Sequence, residues 1–75
     1  MSSRYPPPPV EGTTYVDAEG IHWRVQRLTM SDSFPDFYLV HLRFGPNESE
    51  MNDTWVLAPS EFAALERGKD LRPKA

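Results

Sequence analysis

Residues 37–44 read Phe-Tyr-Leu-Val-His-Leu-Arg-Phe, and this stretch decides the fold. Tyr38, Val40, Leu42 and Phe44 fall at every second position, the period of a strand with one buried face. Gly45-Pro46-Asn47 follows at once and ends the strand, because proline offers no backbone donor and all three residues favour turns.

Three more strands emerge outward from this one. Upstream, Ile21-His22-Trp23-Arg24-Val25-Gln26 alternates apolar with polar. The segment between, residues 29–35, is polar and turn-rich, with Asp32, Ser33 and Pro35. Residues 13–17, Thr-Thr-Tyr-Val-Asp, form a strand joined to the next by Ala18-Glu19-Gly20, where Gly20 can supply the positive φ of a short hairpin loop. Downstream, residues 53–57, Asp-Thr-Trp-Val-Leu, form a fourth strand. Residues 59–67 then change period. Pro59 suits a first helical turn, Ser60 and Glu61 suit its positive end, Ala63 and Ala64 favour helix, and Gly68 suits the position past the last turn. Phe62 and Leu65 share one face of this helix.

Antiparallel registers follow from the faces, since a slip of one residue exchanges them. Trp23 opposite Leu42, Val25 opposite Val40, Leu42 opposite Trp55 and Tyr15 opposite Trp23 bring the large apolar side chains to one side. The expected fold is therefore α+β: a four-stranded antiparallel meander with one short C-terminal helix. A small SH3-like or open β-barrel is the alternative. Trp23 and Trp55 are both expected to be mostly buried on the shared face.

In that register the other face carries His22, Arg24, Gln26 and Leu28 beside Phe37, Leu39, His41 and Arg43. Leu28 faces Phe37, Gln26 faces Leu39, Arg24 faces His41 and His22 faces Arg43. One end is apolar and the other cationic. A contiguous apolar patch with a polar rim suggests a contact surface. The candidate interface is therefore Leu28, Phe37 and Leu39, rimmed by His22, Arg24, His41 and Arg43.

The segments outside residues 13–71 read differently. Residues 1–12 form a proline-rich arm whose Pro6-Pro7-Pro8-Pro9 should adopt an extended polyproline conformation. A flexible leader is the expectation. A ligand for a partner's aromatic groove is the second reading, and folding back through Tyr5 and Val10 is the third. Residues 72–75 are expected to fray.

Composition bounds the function. The chain has 75 residues and a net charge of −3, enough for one domain. It has no cysteine, which excludes a disulfide framework and a thiolate zinc site. No apolar run approaches the roughly 18 residues of a transmembrane helix, and no secretory signal is visible, so a cytoplasmic protein is expected. Without that signal, the glycosylation sequons at Asn47 and Asn52 carry no weight. Six arginines against two lysines fit GC-rich coding, and an accessory role in a bacterium or phage is the expectation.

Catalytic constellations are not apparent. Both histidines project from strands, no glycine-flanked nucleophile turn is present, and Glu48, Glu50 and Asp53 share one loop region. The glycines are too dispersed to cradle phosphate. His22 and His41 lack a third metal ligand, and Arg24 and Arg43 beside them repel a cation. No enzymatic activity, cofactor or metal is expected. The expected partner is another protein or a second copy of the chain. Weak binding of nucleic acid or an anionic ligand on His22, Arg24, His41 and Arg43 is the alternative reading, weak because two fixed positive charges neutralise few phosphates.

Overall fold

The structure is a computed structural model that describes residues 5–34 and 36–74. The first four residues of the arm, Pro35 of the predicted turn and Ala75 lie outside the described residues. Strands β1 (Thr14–Val16), β2 (His22–Met30), β3 (Tyr38–Gly45) and β4 (Asp53–Leu57) precede helix α1 (Pro59–Gly68), and a two-residue β5 (Arg72–Pro73) closes the chain. The sheet is antiparallel and open, in the order β4-β3-β2-β1-β5. This is the expected α+β meander with one helix, extended by one edge strand. No helix among the described residues is long and apolar enough to cross a membrane.

Two of the three expected registers hold. Tyr15 pairs with Trp23, Leu42 with Trp55 and Val40 with Leu57. The β2–β3 register differs. Trp23 faces Phe44 and Val25 faces Leu42, and beyond an irregularity at Gln26 Arg27 faces His41 and Leu28 faces Val40. A β-bulge inserts one extra residue in one strand and so reverses its faces. The segment before β1 holds this bulge in place. Gly12 N donates to Val25 O, Val25 N donates to Thr13 O, and Leu28 N donates to a Glu11 carboxylate oxygen at 2.9 Å. Gly12 has φ +88, a conformation glycine reaches without a Cβ penalty.

The core lies between the sheet and α1. Tyr15, Trp23, Val25, Tyr38, Val40, Leu42, Leu57, Phe62 and Leu71 are buried together, with Tyr5, Ile21, Leu28, Phe44 and Leu65 packed against them. Trp23 is 3% exposed, as expected, and stacks on Phe44 with centroids 4.4 Å apart. Trp55 shares that face and lies 6.2 Å from Trp23, yet is 47% exposed. The expectation of a buried Trp55 is corrected here, since it stands on an edge strand with α1 over only part of it.

Backbone amides donate hydrogen bonds at both ends of α1, to a side chain at its start and to carbonyls at its end. Ala58 N donates to Glu61 Oε1 at 2.8 Å, and Lys69 N and Leu71 N donate to the Leu65 and Glu66 carbonyls. Gly68 is the last helical residue; the left-handed position is Asp70, with φ 53. This reversal sends the tail back along β1, where Arg72 pairs with Val16 and Lys74 N donates to Thr14 O. The tail read as frayed is thus tied to the sheet through Lys74. Asp17 organises the β1–β2 turn. Its carboxylate accepts from Glu19 N, Ile21 N and Trp23 Nε1 at 2.8, 2.9 and 3.0 Å. Burial alone would raise this carboxyl, but these three bonds and the Lys69 charge hold it below its ordinary value.

Candidate functional site

The predicted interface residues separate. The bulge moves Leu28 to the helix-facing side, where it lies opposite Val40 and packs on the core. Phe37 precedes β3 and meets Tyr5 edge-on at 5.6 Å. Neither therefore builds the outer patch with Leu39. The cationic neighbours also change. Arg24 faces Arg43, His22 faces Gly45, and His41 lies four residues from Gly45 along β3, about 13 Å at strand rise. The two histidines are not neighbours. Among the described residues no three potential metal ligands gather.

The cationic end of the outer face is covered in part, with Arg43 left exposed. Residues 46–52 fold back over it, and a Cβ on Gly45 would collide with the Glu50 carbonyl. Met51 is buried there, lining a small recess with Arg24, Arg43, Glu48, Ser49 and Asn52. Two arginines directly opposite each other repel. Glu48 answers that charge, lying 3.7 Å from Arg24 and 3.2 Å from Lys74. An acid inside the cationic cluster counts against phosphate binding on it. His22 Nδ1 is buried with no hydrogen-bond partner among the described residues.

What stays open lies toward β4. Leu39 and His41 remain on the outer face, half-buried, and His41 Nε2 lies 2.7 Å from the Thr29 hydroxyl. Val56 pairs with His41 and is 48% exposed, and exposed Thr54 pairs with exposed Arg43. On the opposite side of the same strand Trp55 is exposed beside Leu57, Ala64, Leu65, Glu61 and Lys69, which line a shallow groove between β4 and α1. β4 is the outermost strand, so the backbone groups on its far side face no strand among the described residues. Asp53 is its one charged residue, and it contains neither lysine nor proline, the residues that commonly blunt an edge.

Sequence reasoning found β4 and its Trp55 but not that the strand is an open edge. Its signal is an apolar side chain on each face, Trp55 and Val56, in a strand followed directly by the helix rather than by a hairpin partner. Comparison of the chain with protein-family models, with curated proteins and with solved structures returned no match.

Proposed function

We propose that this chain is a small non-enzymatic protein-interaction module, cytoplasmic in location, that binds another polypeptide along the open edge of β4. One observation carries the reading: an unblunted edge strand with Trp55 exposed on one face and Val56 on the other. An added strand would satisfy the free backbone groups of β4, and its side chains would alternate onto Trp55 and Val56. Leu39, His41 and Arg43 extend the contact on the outer face. The surface first expected on β2 and β3 thus keeps its β3 residues and moves one strand outward.

Val56→Lys tests this, because lysine on an exposed edge position disfavours strand addition without entering the core. Wild type and variant are used as paired baits in an extract of the native host, with sedimentation of each alone to detect a second copy. The expected result is a partner, or a dimer, present with wild type and lost with the variant, while circular dichroism is unchanged. Equal capture and equal mass for both proteins would refute the assignment to β4.

A further inference from the structure

The proline arm lies on the helix-facing side of the sheet, away from the outer face. Tyr38 is 2% exposed, and its hydroxyl donates to the Pro6 carbonyl at 2.8 Å. Tyr15 and Phe62 meet edge-on at 6.2 Å, forming an aromatic wall with Tyr38. Pro6, Pro7 and Pro9 border this wall together with Ala63 and Glu66. Tyr5 packs on the core cluster and on Phe37, whereas Val10 is 73% exposed. The arm therefore takes the fold-back position through Tyr5 but not through Val10.

This is the chemistry by which polyproline is recognised. A polyproline helix makes no internal hydrogen bonds, so its carbonyls are free to accept, and its rings pack on flat aromatic surfaces. We propose that the Tyr15–Tyr38–Phe62 groove is a polyproline-binding groove that the chain's own Tyr5–Pro9 occupies in cis, and that its ligand in trans is a proline-rich segment of another protein carrying a basic residue.

Two features define that ligand. The arm leaves a cleft of about 280 Å³ bordered by its prolines, the aromatic wall and Glu66, so a bulkier segment has room. Glu66 is exposed and makes no ion pair among the described residues, which favours Lys or Arg at that rim. Its charge reaches the wall: burial first, and then Glu66, push the Tyr15 and Tyr38 hydroxyls above their ordinary range. The arm of a second copy is a poor competitor. It offers the same contacts as the cis arm, which acts at an effective concentration on the order of millimolar.

The full-length chain with P6S/P7S/P8S/P9S weakens the cis ligand. The probe is a synthetic eight-proline peptide with a terminal Arg, and the control carries Glu in its place. Binding is followed by the amide shifts of Tyr15, Tyr38, Phe62 and Ala63. The expected result is at least tenfold tighter binding of the Arg peptide to the four-serine variant than to wild type. Adding Tyr38→Phe weakens it roughly fivefold, the value of one ordinary hydrogen bond. Glu66→Gln removes the preference for Arg over Glu. A folded four-serine variant without shifts at these amides overturns the proposal, as does equal affinity in variant and wild type. If the variant does not fold, wild type is titrated with the Arg peptide to tens of millimolar. Shifts at the same four amides with faster motion at Val10 then support displacement of the arm, and no change there overturns it. A wild-type dimer abolished by the serines would assign the groove to a second copy's arm and also overturn the proposal.

Discussion

Asp17 shows how much one side chain can hold in a domain of this size. Its two carboxylate oxygens accept three hydrogen bonds and join the β1–β2 turn to Trp23 at the centre of the aromatic cluster. Asparagine keeps one acceptor and turns an NH₂ group toward a donor. Asp17→Asn is expected to cost about 1.5–3 kcal/mol in urea unfolding at pH 7. The sign with pH follows from its lowered pKa. The folded carboxyl ionises more readily than the unfolded one, so its stabilisation is present above the unfolded value of about 3.9 and is lost as pH falls through the folded one. The stability difference between wild type and Asp17→Asn should therefore narrow in acid. A difference that stays constant from pH 7 to pH 2 would contradict this role.

The two tryptophans separate at the same scale. Trp23 is buried, whereas Trp55 keeps nearly half its surface in solvent. Trp23→Ala is expected to cost roughly 3–5 kcal/mol and Trp55→Ala about 1 kcal/mol, read from denaturant midpoints at equal slopes. Equal losses would place Trp55 in the core and remove it from the proposed contact surface.

Among the elements, β4, α1 and the β1–β2 and β3–β4 registers were legible because local patterns determine them. In Asp53–Leu57 the apolar residues Trp55 and Leu57 fall two apart and meet Leu42 and Val40, proline and acid mark the helix start, and Gly20 serves a short hairpin with φ +85. The β2–β3 register was not legible, because its bulge depends on a distant segment. Glu11 and Gly12 stabilise it from more than ten residues away, and β2 runs on to Met30 before the turn. The bulge decides the site, since it carries Leu28 to the core and leaves Leu39 outside. β5 is two residues long and has no periodicity to detect. Leu28→Asp should lower stability by about 2 kcal/mol or more, and Leu39→Asp by less than about 1 kcal/mol, in chemical denaturation. The reverse order would mean that β2 passes Gln26 without a bulge.

Across the whole molecule the sheet is covered unevenly. Its inner face carries α1, Leu71 and the proline arm, and the cationic end of its outer face carries residues 46–52. Towards β4 that cover thins, and the strand meets solvent on both faces and along one edge. Of the residues expected at an interface, Leu39, His41 and Arg43 border this open region, Leu28 and Phe37 are engaged within the fold, and His22 and Arg24 lie toward the 46–52 loop. Amide hydrogen exchange along Asp53–Leu57 tests the open edge most directly, measured at low micromolar concentration in the free protein. In an antiparallel edge strand alternate amides point toward the neighbouring strand and away from it. The predicted result is alternation, with every second β4 amide exchanging as if unprotected and those between them slowed. Uniform protection of all five would show the edge already occupied, and uniform rapid exchange would show β4 unpaired from β3. Either result would contradict an open β4 edge as the binding surface.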